Sequence, residues 1–320
     1  MNRAGRAWRR LQRALDPQQR LIARVQARKR ERAEQFAYIE HPKLSLIVLS
    51  FNHRANINPI VDGLRRTIAE EIIVCDDGSI DGSEVAWQRR LERPNDFLIR
   101  SNDIHDSRAY NRAAALARGQ FICVLQDDDI PPDSGAWVEQ ALALFDIYPR
   151  LAVLGGHQGW ILDLSTPSPK VNARAVYGYR EAKKWAYVRD IAYQDPETAI
   201  PMMFVQGVSI GPIFYRRDVF NRLGGFNLAY SAAGEVGMLV DHELSLRAWN
   251  AGYQVAVYGP APFRRYVGGQ GTVMFGRETR ERNLTRSFER MQREYRDSIM
   301  NIDAAAAALN AQLATVAATS

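Results

Sequence analysis

A row of three aspartates, Asp127, Asp128 and Asp129, closes an apolar run in the stretch FICVLQDDDIPPD. Carboxylates this close repel one another, so the row needs a cation, backbone N–H donors or abundant water. Hard oxygen ligands suit Mg²⁺ or Mn²⁺, and such ions commonly combine one or two carboxylates with substrate phosphates. The row therefore indicates a divalent-cation site, with a solvated acidic turn, helped by the two prolines, as the alternative.

Two further acidic pairs could carry chemistry. The stretch CDDGSIDGS places Asp76 and Asp77 after another apolar run, where an aspartate could accept hydrogen bonds from a base or ribose. Its glycines suit a tight turn, and an ordinary turn is the more common explanation of such a motif. In VDHELSLRAWNAGY, Asp241 and Glu243 would point about 200° apart on a helix, so we expect them to serve different purposes. His242 between them is more commonly a surface or core histidine than a ligand.

Short apolar runs alternate with helical stretches from residue 43 onward. Strands are predicted at LSLIVLS, EIIVCDD, DFLIRS and FICVLQ, and helices over 54–69, 83–91 and the stretch SRAYNRAAALARG. This alternation predicts an α/β fold with a doubly wound, mostly parallel sheet flanked by helices. Ligands of such sheets bind beyond the carboxyl ends of the strands, so the polar side chains there should converge on one edge. Those side chains belong to Ser50, Asn52, Asp76, Asp77, Gln126 and the aspartate row.

A further helix, a strand and a long terminal helix follow the weakly patterned stretch 155–210. We expect a helix from about Gly234 through VDHELSLRAWNAG, then a strand at YQVAVYG. Aromatic residues in 155–210, among them Trp160 and Trp185, could line a ligand pocket or simply pack in the core. Beyond Thr279, apolar residues at three- and four-residue spacing predict a helix that packs on the body or on another subunit of a homo-oligomer. They are Leu284, Phe288, Met291, Tyr295, Ile299 and Ile302.

The net charge of +6 is concentrated in the first 40 residues. Ten arginines and one lysine there oppose four acidic residues, which leaves the remaining 280 residues at −1. This distribution argues against a nucleic-acid-binding core, although the basic arm by itself could contact RNA, DNA or anionic lipid. Two amphipathic helical faces in the arm would suit a membrane surface or packing against a subunit. They consist of Trp8, Leu11 and Leu15, and of Leu21, Ile22 and Val25.

The apolar residues suit a globular protein of a reducing compartment. They make up 46% of the chain, enough to fill a core. The sequence shows neither a run of about 18 apolar residues nor an apolar leader, so we expect a cytoplasmic protein. Peripheral contact with the inner membrane face through residues 1–40 is a further hypothesis. Cys75 and Cys123 each lie near the end of an apolar run, which predicts buried free thiols.

Five stretches, taken in order, resemble the successive motifs of a family 2 glycosyltransferase of the GT-A fold. They are LSLIVLSFN, EIIVCDDGSIDGS, SRAYNRAAALARGQFICVLQDDD, RRDVFNRLGGFN and DHELSLRAWNAGYQV, and they lie within residues 43–260. The resemblance implies an inverting transfer of a hexose from a nucleotide-sugar donor, with a UDP-sugar favoured, to a hydroxyl of a glycan or lipid-linked acceptor. Bacterial-type polysaccharide or glycolipid assembly is the expected setting.

The resemblance also implies a division of the chain. A GT-A domain would span residues 41–278, with a nucleotide-binding half over 41–132 and an acceptor half over 133–278. The basic arm would precede this domain at 1–40, and a C-terminal helical extension would follow it at 279–320.

Each candidate residue receives a role from the same resemblance. Asp241 would be the catalytic base that takes the proton of the acceptor hydroxyl. Asp128 and Asp129 would hold a divalent cation, Mg²⁺ or Mn²⁺. Donor binding would fall to Ser50, Asn52, Asp76, Asp77, Arg108, Asn111 and Asp127.

Gln126 and Val240 depart from the family's pattern, because each stands where an acidic residue is common. An amide carbonyl accepts a hydrogen bond but carries no charge, so we expect a more weakly held cation. The stretch FRRYVGGQGT offers no histidine to lie near the diphosphate, and Arg264 or Arg265 would take over its neutralising role.

Three other functions are compatible with the sequence. The two departures would suit a degenerate nucleotide-sugar-binding scaffold without turnover. A sugar nucleotidyltransferase also places carboxylates and a metal at strand ends, but VLSFNHRAN lacks the glycine expected of its phosphate loop. A nucleic-acid binder would act through the arm and would lose its salt-dependent binding when residues 1–40 are removed.

Overall fold

A computed structural model describes most of the 320-residue chain. The described residues are 16–161, 174–177, 188–232, 234–260, 263–265 and 276–317. The predicted arm face of Trp8, Leu11 and Leu15 lies outside them, as does Trp185.

The strands and helices of the described residues are named in chain order. The strands are β1 (Leu44–Ser50), β2 (Glu71–Asp76), β3 (Phe97–Arg100), β4 (Phe121–Gln126), β5 (Asp129–Ile130), β6 (Leu151–Gly155), β7 (Gln158–Ile161), β8 (Arg174–Tyr177), β9 (Val188–Asp190), β10 (Met202–Phe204), β11 (Gly207–Ser209), β12 (Ile213–Arg216), β13 (Gln254–Tyr258) and β14 (Arg264–Arg265). The helices are α1 (Pro17–Gln35), α2 (Ile57–Arg65), α3 (Ser83–Arg90), α4 (Asp106–Leu116), α5 (Ala136–Ile147), α6 (Arg217–Arg222), α7 (Val240–Asn250) and α8 (Gly276–Ala317). Short 3₁₀ helices lie at Arg54–Asn56 and Leu228–Tyr230.

Within the described residues, eight strands form the central sheet, in the order β10, β13, β6, β12, β4, β1, β2 and β3. β1 pairs in parallel with β2 and β4, β2 with β3, and β6 with β13, whereas β10 and β12 run antiparallel to their neighbours. Helices α2, α3 and α5 pack on one face, and α4, α7 and much of α8 pack on the other. The predicted doubly wound, mostly parallel α/β sheet is confirmed. Cys75 and Cys123 lie buried in it as free thiols, as predicted.

The registers of β1 with β2 and β4 place the carboxyl ends of these three strands at the same level of the sheet. Ser50 of β1 lies opposite Asp76 of β2, and Leu49 lies opposite Gln126 of β4. β12 runs antiparallel to β4, so the residues just before Ile213 approach the end of β4. The loops after β1, β2 and β4 and the start of β12 therefore meet at one edge of the sheet, called here the carboxyl edge.

A two-stranded sheet lies beside the aspartate row. β14 pairs antiparallel with β5, with Arg264 opposite Ile130 and Arg265 opposite Asp129. The backbone of this arginine pair is thus adjacent to the row, while both arginine side chains lie outside the described part of the structure. A separate four-stranded sheet joins β11, β7, β8 and β9.

Two helices differ from their predicted bounds. The helix predicted over 54–69 is observed as a 3₁₀ turn followed by the shorter α2. The helix predicted from about Gly234 begins only at Val240, because Gly234 and Leu239 adopt left-handed φ values of 73° and 62° that an α-helix does not allow. An irregular loop therefore leads into α7.

The apolar stripe of α8 packs on the body of the same chain. Phe288, Met291 and Tyr295 are buried in the core cluster that also includes residues of α7, and Ile299 and Ile302 extend this contact. These side chains are therefore covered within one chain and are not available to a second subunit.

Helix α1 joins the body at the edge opposite the carboxyl edge. Asp16 caps α1 by accepting the Gln18 N–H at 2.9 Å, and no residue of α1 is buried. The chain enters β1 from Ile39, whose backbone N–H and C=O bond the Asn95 side chain at 2.9 Å and 2.7 Å. No helix of the described residues is long and apolar enough to span a bilayer.

A buried ion pair ties β2 to the segment before β4. Glu71 has no exposed side-chain surface and accepts hydrogen bonds from Nε and Nη2 of Arg118 at 2.9 Å and 2.6 Å. The Ser45 hydroxyl donates to the same carboxylate at 2.6 Å. Because water does not reach this carboxylate, loss of the arginine would leave an uncompensated buried charge.

We predict that Arg118→Ala lowers the free energy of unfolding by about 3–5 kcal/mol, the typical cost of breaking a buried pair from one side. Urea unfolding followed by circular dichroism measures the change. Arg100→Ala is the matched control, because Arg100 pairs with Glu84 while more than half exposed, and we expect it to cost less than about 1 kcal/mol. If both variants lose the same free energy of unfolding, burial of the Glu71–Arg118 pair does not make it more stabilising than an exposed pair, which would contradict the prediction.

Candidate active site

The loop after β1 is fastened to Asp127 of the aspartate row. The Asp127 carboxylate accepts the Phe51 N–H at 2.6 Å and lies 2.7 Å from Nδ1 of His53. This hydrogen bond to Asp127 raises the pKa of His53 above its usual value, although partial burial opposes the shift. Asn56 donates through Nδ2 to the Asp127 carbonyl at 2.9 Å. Asp127 therefore holds the β1–α2 loop in place.

Asn52 joins the loops that follow β1 and β2. Its backbone N–H donates to the Ser79 hydroxyl at 2.9 Å, and its side-chain carbonyl accepts the Ile80 N–H at 2.8 Å. Asn52 adopts a left-handed φ of 54°, which asparagine tolerates better than most residues. The two loops are thus bonded to each other at the carboxyl edge.

Asp76 and Ser50 lie side by side at the ends of their strands but differ in their bonding. Oδ1 of Asp76 accepts the Ser79 N–H at 2.9 Å, whereas Oδ2 is buried and has no hydrogen-bond partner in the described part of the chain. The Ser50 hydroxyl is buried and accepts Nε1–H of Trp87 at 2.9 Å. Asp76 therefore retains an acceptor oxygen for a ligand, while Ser50 bonds into the core.

Asp77 organises the loop between β3 and α4. Its carboxylate accepts the Ser101 hydroxyl at 2.7 Å and the N–H groups of Ile104 and His105, both at 2.9 Å. In the described residues, Asp77, Asp103 and His105 form a group whose ligand atoms all lie within 4.8 Å of one another. This set could hold a metal ion, and the sequence analysis did not predict it.

Arg108 and Asn111 project from α4 onto the loop that leads to α7. Arg108 donates to the hydroxyl and the carbonyl of Ser231, both at 3.1 Å. Asn111 exchanges two hydrogen bonds with the backbone of Phe226, both at 2.8 Å. The side-chain atoms of Arg108 and Asn111 that form these bonds are the atoms that would have to contact a nucleotide directly.

The aspartate row is divided among three environments. Asp129 is buried, and its Oδ2 accepts the Gln126 N–H at 2.9 Å, which closes the turn after β4. Asp127 bonds the β1–α2 loop. Oδ1 of Asp128 has no hydrogen-bond partner among the described residues. Asp128 is therefore the carboxylate of the row that fits a divalent cation best, with the uncharged Gln126 beside it.

Asp241 lies in the first turn of α7, where it meets the carboxyl edge. Its Oδ2 accepts the Ile210 N–H at 3.0 Å, and its Oδ1 accepts the His242 N–H at 2.9 Å. Burial raises the pKa of Asp241 to about 6, and the negative charge of Asp106 adds to this rise while the two N–H donors oppose it. Near neutral pH this carboxylate can therefore exchange a proton.

The neighbours of Asp241 have structural roles, as the helical spacing predicts for Glu243. Glu243 is buried and accepts hydrogen bonds from Tyr295 Oη at 2.7 Å and from Nε and Nη2 of Arg247, both at 2.8 Å. The His242 ring is buried, and neither of its nitrogens has a partner in the described part of the chain. Burial lowers the pKa of His242 to about 3, so the ring is neutral.

Two residues of this site, His53 and Asp106, were not predicted from the sequence. His53 lies three residues after β1, a position at the carboxyl end of a strand that could have identified it. Asp106 accepts the Gly237 N–H at 3.2 Å, a contact across 131 residues that no local pattern indicates.

The comparison with known families decides the identity of this fold. The model described as "Glycosyl transferase family 2" matches residues 45–223, more than half of the chain. The chain belongs to glycosyl transferase family 2. The resemblance seen in the sequence is thereby confirmed, and the matched residues include β2, β4, all of β1 except Leu44, and every predicted donor and metal residue.

Solved structures of other proteins match this glycosyltransferase at low sequence identity. Mannosyltransferase PcManGT from Pyrobaculum calidifontis, in complex with GDP-Man and Mn²⁺, is 16% identical, with a TM-score of 0.47, over 88% of this chain and 80% of that one. S. aureus TarS in complex with UDP-GlcNAc is 17% identical, with a TM-score of 0.48, over 72% of this chain and 60% of that one. The chain thus spans about three-fifths of the TarS 1-349 chains that it matches and 36% of a further TarS chain. No curated protein matches the sequence.

We predict that Asp241→Asn stabilises the folded protein by ~2 kcal/mol at pH 8. A rise of about two pKa units disfavours the ionised carboxylate by ~3 kcal/mol, and asparagine loses one accepted hydrogen bond worth ~1 kcal/mol. The folded-state pKa lies above the unfolded value, so this penalty is absent below about pH 4 and complete above about pH 6.

Chemical unfolding of both proteins at pH 4 and pH 8 measures this difference. The stabilisation should appear at pH 8 and disappear at pH 4. Asp218→Asn, at a carboxylate that is 67% exposed, is the control and should leave stability nearly unchanged at both pH values. A difference for Asp241→Asn that does not depend on pH would contradict the raised pKa.

Proposed function

We propose that this glycosyltransferase transfers a hexose with inversion from a nucleotide-sugar, with a UDP-sugar favoured, to an acceptor hydroxyl. The observation that carries the proposal is the position of Asp241. Its carboxylate accepts the N–H of Ile210, which lies just before β12 at the edge where β4 ends. A carboxylate with a pKa of about 6 can serve as a general base near neutral pH.

The proposed reaction is a single displacement. The acceptor oxygen forms a bond to the anomeric carbon while the bond from that carbon to the diphosphate oxygen breaks. The nucleoside diphosphate leaves with the electron pair, and Asp241 takes the proton of the acceptor hydroxyl. Attack from the side opposite the leaving group inverts the anomeric centre. Asp241 must lie within ~3 Å of the hydroxyl in the bound complex.

Donor binding is proposed for the loops after β1 and β2. Oδ2 of Asp76, which is buried and has no partner among the described residues, is the acceptor proposed for a base or ribose, and Asn52 joins the two loops beside it. The other residues predicted to bind the donor contribute by holding these loops and the loop before α7 in place. They are Ser50, Asp77, Arg108, Asn111 and Asp127.

A divalent cation, Mg²⁺ or Mn²⁺, would neutralise the charge that develops on the departing diphosphate. Asp128 is the proposed ligand, because its carboxylate keeps an oxygen without a partner in the described residues. Asp129 was predicted to share this role, but its buried carboxylate bonds the Gln126 N–H, and we propose that it shapes the turn. With one free carboxylate, cation affinity should depend on the phosphates of the donor.

A nucleotide-sugar-binding scaffold without turnover is the second candidate. The uncharged Gln126 and the bonds that occupy Asp127 and Asp129 support it, because they leave few charges for a cation. A scaffold and a transferase would both bind a nucleotide-sugar with Mn²⁺. They differ in whether an acceptor stimulates the release of nucleoside diphosphate.

We predict that Asp241→Asn lowers turnover by about 10²–10⁴-fold, because Asp241 is the group assigned to take the acceptor proton. A thermal-shift screen of UDP-, GDP- and dTDP-sugars with Mn²⁺ first identifies the donor. Release of nucleoside diphosphate is then measured with a panel of glycan and glycolipid acceptors. The donor dissociation constant of the variant should stay within about threefold of wild type, since Asp241 is assigned to the acceptor side.

The wild-type profile of kcat/KM against pH should rise through about pH 6 as Asp241 ionises. Asp218→Asn controls for the loss of one carboxylate and should retain wild-type turnover. Near-normal turnover of Asp241→Asn would reject Asp241 as the base. Tight donor binding with no turnover of the wild-type protein would favour the scaffold.

Peripheral membrane contact is proposed for residues 1–40. Leu21, Ile22 and Val25 are exposed on α1, on a strongly basic helix. The arm joins the body at the amino end of β1, which is ~20 Å long, so its attachment lies that far from the carboxyl edge. Because of this separation, we expect an acceptor that extends away from the membrane surface rather than a lipid headgroup that lies within the surface.

We predict that the full-length protein floats with vesicles of phosphatidylglycerol and phosphatidylcholine but not with phosphatidylcholine alone, because both charge and apolar area are needed. Replacing Leu21, Ile22 and Val25 together by serine should weaken flotation while the full chain and its charge are kept. Ser replacements of three exposed α8 residues, Glu289, Arg293 and Met300, form the control. Equal flotation of the α1 variant and wild type would refute membrane contact through α1.

A further inference from the structure

The loop between α6 and α7 directly precedes the proposed base. Its residues 226–239, apart from 233, are described and are called here the α6–α7 loop. Gly234 and Leu239 have left-handed φ values, and no side chain caps the N-terminus of α7. The position of the first turn of α7, and so of Asp241, therefore depends on what holds this loop.

Helix α4 holds one side of the α6–α7 loop. Arg108 and Asn111 bond its backbone near the start, at Ser231 and Phe226. Asp106 accepts the Gly237 N–H at 3.2 Å nearer its end. These contacts are partly buried and connect the loop to the donor half of the domain.

Helix α8 holds other residues of the same loop. Tyr230 donates to Glu294 at 2.8 Å, and Arg290 lies over the Tyr230 ring. Glu235 pairs with Arg282 at 3.1 Å and with Arg286 at 3.3 Å. Glu235 is thus held by two cations of the terminal helix, six residues before Asp241.

The two arginine contacts are too exposed to contribute much to global stability. Arg282 and Arg286 are 62% and 44% exposed, whereas Glu235 is 25% exposed. An exposed ion pair typically shifts an equilibrium by no more than about fivefold. Such a shift is negligible for the whole fold but is sufficient to change the population of an open form of one loop.

We propose that Glu235, held by Arg282 and Arg286 of α8, is a positioning residue of the transfer reaction. It fixes the α6–α7 loop against α8 and thereby fixes the helix start from which Asp241 meets the acceptor. The expected effect on the rate of transfer rests on the proposed function. The expected effect on the mobility of the loop rests only on the loop contacts. It makes α8, which lies outside the matched family residues, a part of the acceptor site.

The structural consequence is tested by hydrogen–deuterium exchange of the full-length protein without ligand. In Glu235→Gln, and in Arg282→Gln with Arg286→Gln, amides 234–239 should exchange about two- to fivefold faster than in wild type. The melting temperature should stay within about 2 °C. Glu289 is an exposed glutamate of α8, the helix that carries Arg282 and Arg286. Glu289→Gln is therefore the matched control and should not change the exchange of amides 234–239.

The kinetic consequence is tested with the donor identified in the nucleotide-sugar screen. Glu235→Gln should lower kcat/KM for the acceptor by about two- to fivefold and leave KM for the donor within about twofold. Reversing the charges in the triple variant Glu235→Arg, Arg282→Glu and Arg286→Glu should restore most of the lost rate and slow the exchange again. Rescue of this kind separates positioning from a general loss of folding.

Unchanged exchange of amides 234–239 in Glu235→Gln would overturn the proposal. So would an equal rise of KM for donor and acceptor, or a triple variant whose amides 234–239 exchange faster than those of Glu235→Gln. If wild type shows no turnover with any donor, the transferase proposal fails. Faster exchange in the Glu235 variant would then still support the positioning of the loop, so the two failures are distinguishable.

Discussion

The parallel registers of β1 with β2 and β4 are the constraint on which the candidate site depends. Because these strands end in step, the loops that follow them begin at one edge and bond to one another through Asn52 and Asp127. The antiparallel β12 then brings Ile210 to the same edge, and Ile210 holds Asp241. A proposed donor pocket and a proposed base that are far apart in the sequence are thus joined through the sheet.

The repulsion within the aspartate row is relieved in three different ways. Asp127 is paired with His53, Asp129 accepts a backbone N–H, and Asp128 keeps a buried oxygen that has no partner in the described part of the chain. Two of the three charges are therefore compensated by the protein itself. Burial nevertheless raises the pKa of Asp127 above its usual value, and burial beside Asp106 raises the pKa of Asp241 to about 6. A residue that lowers stability in this way is typical of a functional site.

The sequence predicts the sheet, the edge at which its polar residues meet and the different roles of Asp241 and Glu243, because strand alternation and helical spacing are local patterns. It does not predict which side chains bond within the protein. Ser50 meets Trp87 across 37 residues, and Asn111 meets Phe226 across 115. Such contacts depend on tertiary packing, and so does the late start of α7, where positive φ values override a continuous helical pattern.

We propose that the donor and its cation bind at the carboxyl edge, between Asp76 and Asp128. Anomalous diffraction from crystals soaked with UDP and Mn²⁺ would locate both. We expect a manganese peak at coordination distance from Asp128 and from the diphosphate, with the nucleoside beside Asp76. A peak at Asp77, Asp103 and His105, or a nucleotide bound away from this edge, would contradict it.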